Sequence, residues 1–349
     1  MVVDDLDDPV PGPGQVLVET IACGICGSDL HTVDHADHMV ATANEAGIPT
    51  FSFDPGRDLV MGHELSVRAL ELGPGVEGVE LDRPMAAMPF LMVGDERHTP
   101  GYDNDHPGGY AHRLLLDPGA LVPVPNGLAG PLAALTEPLA VGLHAVNQSS
   151  VDEGRAAIVI GAGPVGLAVI AALALAGAEP IIASDLSPTR RRLAATMGAH
   201  VVIDPATAGD RARGFALAVE AWAAGTAGRS GGDGQVVPPV IFEAVGVPGM
   251  IDLAMTGAPP GSEVVVVGVC MEDDRFRPIM GIYKHLTVRF VLGWTPDEFR
   301  ASLHNLAEGR IDAEPLVTDQ VGIEAVPDAF ARLARPDDQV KILVRPELG

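Results

Sequence analysis

A short segment near the start of the chain, CGICGSDLH at positions 23–31, concentrates side chains that can do chemistry. It holds two thiols, a hydroxyl, a carboxylate and an imidazole. A C-x-x-C pair such as Cys23 and Cys26 is typical of a redox pair or of half a zinc knuckle. A knuckle needs a second pair, and the sequence has only one further cysteine, Cys270. A redox pair stays open, although no thioredoxin-like pattern surrounds it.

A third interpretation uses one of these cysteines as a metal ligand. Downstream lie His63 and Glu64 in MGHEL, and Glu137 in LTEPLAVGLHA. A thiolate, an imidazole and a carboxylate can form a three-ligand zinc site that leaves one position for water or substrate. Such a metal polarises an alcohol oxygen and lowers its pKa, so that hydride can leave the carbon for a nicotinamide. This chemistry requires a dinucleotide site on the same chain.

A dinucleotide-binding pattern is present in the second half of the sequence. GAGPVG at 161–166 follows the apolar run AAIVI and begins an alanine-rich helix predicted over 164–177. In G-x-G-x-x-G the first glycine permits a tight turn, the second lets a pyrophosphate approach, and the third allows close helix packing. Asp185 ends the next predicted strand and can bind the ribose hydroxyls, which favours NAD. The arginines of TRRR (189–192) leave NADP open, and a glycine-rich turn without a ligand is the other alternative.

The elements that must position these residues indicate two domains, in agreement with a length of 349 residues. Residues 15–25 alternate and predict a strand that enters the first motif. Short apolar runs over 64–90 indicate an all-β unit, and a helical period begins near 131. Strands predicted at 156–160, 180–184, 200–204, 240–245 and 262–269 alternate with helices, which indicates βαβ units on a parallel sheet. The stretch 223–235 predicts a surface loop.

The charge balance excludes several classes of partner. Asp and Glu number 47 against 22 Lys and Arg, which gives a net charge of −25. Nucleic acids and anionic membranes both require a basic surface, so we expect neither as a partner. The acidic N-terminus has no signal-peptide pattern, and no uninterrupted apolar run reaches the ~18 residues of a membrane span. We therefore expect a cytoplasmic protein that acts on a small molecule.

Together, several blocks resemble the zinc-dependent medium-chain alcohol and polyol dehydrogenases, especially the sorbitol and threonine dehydrogenase branch. The blocks cover nearly the whole chain and are GPGQVLV, ACGICGSDLH, MGHE, EPLAVGLHAV, VIGAGPVGLAVIAAL, SDLSPTRRRLA and DDQVKILVRP. The resemblance implies an α/β fold with a GroES-like, mostly β catalytic domain (1–138 and 294–349). A Rossmann NAD-binding domain with a doubly wound parallel sheet would occupy 139–293, with the active site in the cleft between them.

The resemblance also implies an activity, which is reversible hydride transfer between an alcohol and NAD to give an aldehyde or ketone. Two alternatives stay open: a zinc-free enone or quinone reductase that uses NADPH, and a dinucleotide-binding protein without turnover. The substrate, whether polyol, aliphatic, aromatic or amino alcohol, and the physiological direction cannot be inferred. NAD would be bound by Gly161, Gly163, Pro164, Val165, Gly166, Asp185 and Arg190.

At the metal, the resemblance implies that Cys26 and His63 bind one catalytic zinc per subunit. Either Glu64 or Glu137 would supply the third ligand, and Glu64 can also bind or release the metal during catalysis. Many family members hold a second, structural zinc with four cysteines in a lobe that corresponds to residues 88–112. This sequence has no cysteine there, so we expect no structural zinc. Because that lobe often contributes to assembly, a homodimer and a homotetramer both stay open.

Around the metal, the resemblance implies that Ser28 accepts the proton of the substrate hydroxyl and that His31 passes this proton toward solvent. Asp29 would hold the zinc histidine, as such sites usually need. The lobe holds His98, His106 and His112 with several acids, for which we expect a solvated loop, although another metal stays open. The segment 32–62 is longer than the family usually shows. It predicts a short helix and a loop that shape substrate entry, and Tyr110 is among the residues suggested for the pocket.

Overall fold

The computed structural model describes residues 1–51, 53–227, 236–335 and 339–348. The chain forms two compact units. Unit 1 comprises Met1–Glu137, Leu303–Gly309 and Ala313–Gly349, and unit 2 comprises Pro138–Ser302 and Arg310–Asp312. Residues 294–302, which the sequence division assigns to the first domain, are thus part of unit 2. Of the loop predicted at 223–235, residues 228–235 lie outside the described residues.

The regular structure of the described residues consists mainly of short strands and helices. In chain order, the strands are β1 (Val16–Gly24), β2 (Glu64–Leu72), β3 (Pro84–Ala87), β4 (Leu91–Val93), β5 (Glu96–His98), β6 (Arg113–Leu116), β7 (Leu121–Pro123), β8 (Ala157–Ile160), β9 (Ile181–Ser184), β10 (Val201–Ile203), β11 (Val240–Glu243), β12 (Glu263–Val266), β13 (Thr287–Phe290), β14 (Val317–Val321) and β15 (Lys341–Val344). The helices are α1 (Gly27–Ala46), α2 (Thr136–Asn147), α3 (Pro164–Leu175), α4 (Pro188–Thr196), α5 (Arg211–Gly225), α6 (Met250–Gly257), α7 (Pro278–Lys284), α8 (Pro296–Ala307) and α9 (Val326–Leu333).

Unit 1 is built on a mostly antiparallel sheet. Over the described residues its strand order is β14-β15-β1-β2-β3-β7, and β6 also pairs with β1. Val16 and Val18 of β1 pack with Leu65 and Val67 of β2 in a buried apolar cluster. Alternate residues of a strand lie on opposite faces, so the period of two in the sequence directs these side chains to the core. Gly24, the last residue of β1, is directly opposite Glu64, the first residue of β2.

Unit 2 is built on a parallel sheet with the strand order β10-β9-β8-β11-β12-β13. All four residues of β8, which is central, are buried. The strand order reverses at β8, and the loop after β8 therefore lies at the point where doubly wound sheets bind dinucleotides. Each strand predicted from the sequence is present, and its ends differ from the prediction by at most three residues. Strand β13, at one edge of the sheet, and helices α5 and α6 had no counterpart in the sequence prediction.

The segment 32–62 begins inside a longer helix than the sequence predicts. Helix α1 starts at Gly27, runs for 20 residues with non-helical backbone at His35, and ends where Gly47 adopts φ 70°. A single 3-10 turn, Pro49–Phe51, follows. Among the described helices, none is both long enough and apolar enough to cross a membrane.

Candidate active site

Three side chains that can bind a metal converge where β1 and β2 meet. Because Gly24 and Glu64 face each other in the antiparallel pair, the chain leaving β1 brings Cys26 beside His63. One ligand atom from each of Cys26, His63 and Glu64 lies within 4.8 Å of the others. His63 and Glu64 are buried, whereas Cys26 is partly exposed, so a small molecule can reach this group from the side of the thiol.

The other cysteine of the motif has a different environment. Cys23 is 0% exposed and belongs to the apolar core of unit 1. Burial raises the pKa of its thiol, so Cys23 stays protonated and unreactive at neutral pH. Cys23 and Cys26 are both free thiols. Of these two cysteines, only Cys26 therefore has the exposure that metal or substrate chemistry requires.

Asp29 connects the two candidate ligands Cys26 and His63. Its side chain is fully buried in the first turn of α1. Its Oδ2 accepts hydrogen bonds from the backbone N–H of Cys26 at 2.9 Å and from the hydroxyl of Tyr110 at 2.6 Å. Its Oδ1 lies 3.4 Å from Nδ1 of His63. Since Nδ1 faces this carboxylate, Nε2 of His63 is the nitrogen left for a metal, as is usual for metal-binding histidines.

The charge state of Asp29 follows from the same contacts. Burial acts to raise the pKa of Asp29, but the charge of His63 and the hydrogen bonds from Tyr110 and the backbone of Cys26 outweigh it. The pKa of Asp29 is therefore held below its ordinary value, and the side chain is a carboxylate. A carboxylate here fixes the proton of His63 on Nδ1 and supports the metal-binding tautomer.

Glu64 shares its buried position with a lysine from the far end of the chain. Nζ of Lys341 lies 2.6 and 2.8 Å from the carboxylate oxygens of Glu64 and donates to the carbonyl oxygen of Ile25 at 2.9 Å. Burial acts to lower the pKa of Lys341, but the negative charges of Glu64, Cys26 and Glu137 outweigh it and raise that pKa. The pair is thus a buried ion pair with its hydrogen bonds satisfied.

The structure places the two candidate carboxylate ligands differently. Glu137, in the first turn of α2, is 9% exposed. In the described part of the chain it is not among the ligand atoms that converge on Cys26 and His63, whereas Glu64 is. Glu64, however, is also neutralised by Lys341, which competes with a metal for its oxygens. Proximity thus favours Glu64 as the third ligand, whereas its ion pair with Lys341 favours Glu137.

Ser28 lies two residues after Cys26 and contacts a tyrosine that the sequence prediction did not include. Its Oγ accepts a hydrogen bond of 2.8 Å from the hydroxyl of Tyr102. Tyr102 is 5% exposed, and its ring centroid lies 5.1 Å from that of His63 and 4.7 Å from that of Phe51. Burial raises the pKa of Tyr102, so its hydroxyl remains a donor. The proton of Ser28 is then free to exchange with a substrate hydroxyl.

His31 lies one turn further along α1 and is half-buried. Burial and, secondarily, the charge of His35 lower the pKa of His31. The two rings lie 6.3 Å apart. A neutral imidazole at pH 7 can accept a proton. The role of His31 in carrying a proton to solvent stays a prediction.

In unit 2, the glycine-rich loop after β8 has the geometry that its sequence predicts. Gly161 adopts φ 90°, which favours glycine. A Cβ at Gly166 would lie 2.0 Å from the carbonyl oxygen of Gly161, so only glycine lets α3 pack this closely on the loop. Gly161 and Gly166 thus have the backbone roles that the sequence predicts, and Gly163 is the glycine left to face the ligand.

Gly163 and the start of α3 form an open surface. The nearest atom to a Cβ at Gly163 would be Nη1 of Arg190, 3.9 Å away. Helix α3 begins at Pro164, followed by Val165. The first backbone N–H groups of a helix have no partner within it and carry partial positive charge, so they bind phosphate readily. This surface fits the pyrophosphate of a dinucleotide.

Asp185 follows β9 and lies against the same loop. Its Oδ2 accepts a hydrogen bond of 2.7 Å from the backbone N–H of Ala162, and its Oδ1 accepts one of 2.7 Å from the backbone N–H of Ser187. Arg191 is engaged elsewhere, because it binds the carbonyl oxygen of Asp185 and pairs with Asp204. Nε of Arg190 is buried and makes no hydrogen bond. Arg190 is thus the arginine of TRRR that faces the loop.

Comparison with known proteins identifies the family. Residues 12–126 match the family model for the alcohol dehydrogenase GroES-like domain, and residues 164–308 match that for zinc-binding dehydrogenase. (R,R)-butanediol dehydrogenase of Bacillus subtilis (strain 168) is 32% identical over 99% of this chain and 96% of that protein. The chain belongs to the zinc-dependent medium-chain alcohol and polyol dehydrogenases.

Further relatives support the assignment of the chain to this family. L-threonine 3-dehydrogenase of Thermococcus kodakarensis is 27% identical over 99% of this chain and 94% of that protein. The crystal structure of 2R,3R-butanediol dehydrogenase from Bacillus subtilis matches with a TM-score of 0.76 at 30% identity, over 98% of this chain and 95% of that one. A protein from Sinorhizobium meliloti 1021, solved with bound NADP, matches with a TM-score of 0.77 at 25% identity, over 98% and 94% of the two chains.

The family assignment confirms the resemblance and the fold class predicted from the sequence. The dehydrogenase interconverts an alcohol and a carbonyl compound with a nicotinamide cofactor. It has a GroES-like unit and a Rossmann unit with a doubly wound parallel sheet. These matches agree better with a zinc-dependent dehydrogenase than with either alternative, the zinc-free reductase or the dinucleotide-binding protein without turnover.

Three residues of the dehydrogenase site escaped the sequence prediction or were misplaced by it. Tyr110, suggested for the substrate pocket, is 9% exposed and binds Asp29 instead. Tyr102 lies in the lobe that we expected to be a solvated loop. Lys341 did leave a signal, because a lysine among the apolar residues of QVKILV predicts a buried charge that needs a partner. No local pattern marks either tyrosine.

Proposed function

We propose that the enzyme oxidises small secondary alcohols that carry a hydroxyl or amino group on the neighbouring carbon, reversibly and with NAD. The observation that carries the proposal is the group of Cys26, His63 and Glu64 beside Ser28. Butanediol and L-threonine, named in two relatives, are both alcohols of this kind. A vicinal polar group also gives the substrate a second handle for orientation, which a simple alcohol lacks.

The residues present fit one catalytic zinc. Cys26 and His63 would hold it, and Glu64 or Glu137 would add a carboxylate. The orphaned pair of Oδ1 of Asp29 and Nδ1 of His63, each buried without a hydrogen bond, supports this fit, because both atoms approach their best geometry when Nε2 is fixed by a metal. When bound, zinc supplies a Lewis acid that lowers the pKa of an alcohol, and NAD supplies the hydride acceptor.

The side chains around this group provide a path for the proton. In the direction of oxidation, Oγ of Ser28 receives the proton of the substrate hydroxyl. The hydroxyl of Tyr102 donates to the same oxygen and stabilises it while its proton is exchanged. His31, neutral at pH 7, receives the proton next and passes it to solvent.

The choice of NAD rests on Asp185. Its carboxylate lies against the glycine loop through the N–H of Ala162. A carboxylate at this position accepts hydrogen bonds from ribose hydroxyls and repels the 2′-phosphate of NADP. Arg190 faces Gly163 and is the feature that favours NADP, which the Sinorhizobium meliloti protein binds. We give the carboxylate more weight, because it is anchored at both oxygens beside the loop.

The test is NADH or NADPH formation over a substrate panel. 2,3-Butanediol is compared with 2-butanol, which has the same carbon chain and lacks the neighbouring hydroxyl, and L-threonine with ethanol and benzyl alcohol. We expect turnover with NAD that prefers 2,3-butanediol over 2-butanol by at least about tenfold in kcat/KM. Activity should disappear with a chelator and return with zinc. Turnover that ignores the chelator would contradict the metal roles.

Variants separate the metal from the proton path. Cys26→Ser should abolish turnover, whereas Ser28→Ala should lower kcat and leave zinc content unchanged. Cys23→Ser is the matched control at the other cysteine and should keep zinc. A cytoplasmic homodimer or homotetramer is our expectation for the assembly, and light scattering of the purified chain measures its mass.

A further inference from the structure

A second group of metal-binding side chains lies apart from the site described above. It consists of His98, which ends β5, and of Asp103 and His106 in the turn that follows. One ligand atom from each lies within 4.8 Å of the others. Their side chains are only 19–23% exposed. The sequence predicts a solvated loop here, but the structure gathers two imidazoles around one carboxylate.

The geometry of this group leaves one nitrogen without a partner. Nδ1 of His98 lies 2.6 Å from Oδ2 of Asp103, and Nδ1 of His106 lies 3.0 Å from Oδ1. The two ring centroids are 4.3 Å apart. Although it faces a carboxylate oxygen, Nδ1 of His106 is buried and makes no hydrogen bond. A buried nitrogen without a hydrogen bond needs a physical explanation, and a cation shared with the facing carboxylate oxygen is one.

The spacing of these atoms suits a small cation. Zinc lies about 2.0–2.1 Å from nitrogen and oxygen ligands in a tetrahedral site, which puts neighbouring ligand atoms roughly 3.3 Å apart. Nδ1 of His98 and Nδ1 of His106 would each move less than about 1 Å from Asp103 to reach that spacing. Such shifts lie within the range of side-chain rotation.

The residues around this group are mainly acidic. Asn104 holds the segment of Asp54 and Asp58 against the turn, because it accepts from the backbone N–H of Asp54 at 2.7 Å and donates to the carbonyl oxygen of Asp58 at 3.0 Å. Asp105 pairs with Arg57. Among the described residues, the side chains that contact Asp103 are the two imidazoles, and the backbone N–H of Asp105 donates to its Oδ1 at 2.8 Å.

We propose that His98, Asp103 and His106 bind a divalent transition-metal ion, with zinc as the favoured ion. Two imidazoles and one carboxylate form a set that zinc accepts readily, with water in the fourth position. The ligands, spaced H-x4-D-x2-H, differ in type from the four cysteines that hold the lobe zinc of many family members. The site adds to the one catalytic zinc of the proposed function and does not depend on it.

The ion would hold together the two ends of the segment that contains Tyr102. Tyr102 lies between His98 and Asp103 in the chain, and its hydroxyl contacts Ser28. After His106, the chain is fixed again, because the N–H of Gly108 donates to the carbonyl oxygen of Val60 at 2.8 Å. A metal would thus complete a clamp on both sides of the aromatic residue that faces Ser28.

The experiment counts metal in the purified full-length chain, produced without a histidine tag, after dialysis against limiting zinc. We expect two zinc ions per chain in the parent protein and one in Asp103→Asn, which is nearly isosteric, and in His106→Gln. His112→Gln, a nearby exposed histidine outside the group, should keep two. Cys26→Ser should keep one. The variants are compared by circular dichroism, so that loss of metal is read only from folded protein.

Cobalt substitution tells the two sites apart. A cobalt ion bound by Cys26 gives a thiolate charge-transfer band in the near ultraviolet, whereas one bound by imidazole and carboxylate gives visible bands alone. Asp103→Asn should remove one equivalent of cobalt and keep the thiolate band. One equivalent in the parent that Asp103→Asn leaves unchanged would overturn the proposal. A metal retained in Cys26→Ser but lost in its double variant with Asp103→Asn would support it, even if the catalytic assignment failed.

Discussion

Asp29 connects the residues of the proposed catalytic metal site. Its two oxygens face different partners, one toward Cys26 and Tyr110 and the other toward His63. A single carboxylate therefore fixes the start of α1 and the tautomer of the histidine together. No other single side chain in the described site contacts both protein ligands in this way.

Asp29→Asn should weaken zinc binding without unfolding the protein. The amide oxygen can still accept from Cys26 and Tyr110, but the amide N–H₂ would then face Nδ1 of His63. Nδ1 would become an acceptor and Nε2 would carry the proton, which a metal cannot replace easily. We expect zinc affinity to fall about 10- to 100-fold. Competition with a chromogenic chelator measures it, with exposed Asp34→Asn on the same helix as control, and equal affinities would contradict the role of Asp29.

Lys341→Met should destabilise the zinc-free protein strongly. It leaves the carboxylate of Glu64, which is 0% exposed, without its partner. Breaking one side of a buried ion pair costs about 3–5 kcal/mol. Urea unfolding measures this loss. Arg300→Met, which removes an exposed pair with Asp297, should cost less than about 1 kcal/mol.

A double variant makes this prediction stricter. Glu64→Gln together with Lys341→Met removes the unpaired charge and should recover most of the lost free energy of unfolding. If the double variant were as unstable as Lys341→Met alone, packing and not charge would explain the loss.

At the scale of elements, the start of helix α1 positions both the candidate ligand Cys26 and the proposed proton path. Cys26 precedes it, Ser28 lies in its first turn, and His31 and His35 follow one and two turns later. Helical residues three and four apart share a face, which explains why His35 influences His31. The backbone departs from helical geometry at His35 itself.

His35→Ala should shift the pH dependence of oxidation. Burial and the charge of His35 hold the pKa of His31 below 6.5, and protonated His31 cannot accept a proton. Activity should therefore fall on the acid side below pH 6.5. Removing the charge of His35 lets His31 protonate more easily, so this acid limb should move to higher pH. Profiles of kcat/KM test this, with exposed His38→Ala as control, and an unmoved limb would contradict it.

We expect the connection from β9 to α4 to determine whether the enzyme prefers NAD or NADP. Asp185→Ala removes the carboxylate beside the glycine loop and keeps Arg190. We expect kcat/KM with NAD to fall roughly 10- to 100-fold, which corresponds to hydrogen bonds of about 1.5–3 kcal/mol. The value with NADP should rise. Asp152→Ala, which changes an exposed acid in the turn before β8, is the control, and an unchanged ratio of the two cofactors would contradict the role of Asp185.

The sequence predicted local elements well and distant contacts poorly, for a physical reason. The apolar run of β8, the glycines after it and Asp185 lie within 30 residues of one another, so periodicity and spacing describe them. The hydrogen bond between Tyr102 and Ser28 joins residues 74 apart, and the ion pair of Lys341 and Glu64 joins residues 277 apart. Such contacts depend on how strands pair, which no local pattern determines. The residue types alone grouped one cysteine of the motif with His63, whereas the choice of Cys26 over Cys23 came only from the family resemblance.

At the scale of the whole molecule, the positive charges are few and mostly engaged. Both lysines are engaged in hydrogen bonds. The buried Lys341 pairs with Glu64, and the partly buried Lys284 donates to the carbonyl oxygens of Thr256 and Ala258. Arginines such as Arg57 and Arg277 pair with acids on the described surface. The remaining acidic side chains give a net charge of −25 with little nearby compensation. Repulsion among them opposes the folded state.

Salt should therefore stabilise the enzyme. Raising NaCl shortens the Debye length from about 30 Å at 0.01 M to about 3 Å at 1 M, which screens repulsion between acids spread over the surface. We expect the melting temperature to rise by roughly several degrees over this range. Buried pairs such as Lys341 with Glu64 are screened far less, so little stabilisation is lost with the added salt.

The measurement is thermal unfolding followed by circular dichroism at constant pH and saturating zinc, over a series of NaCl concentrations. Sucrose at matched osmolality is the control, because it acts by exclusion from the surface and not by screening. Most of the rise should occur below about 0.3 M, because at that concentration the Debye length is already shorter than the distance between neighbouring surface charges. A melting temperature that fell steadily with NaCl would show that the surface ion pairs of the arginines outweigh the repulsion among the acids.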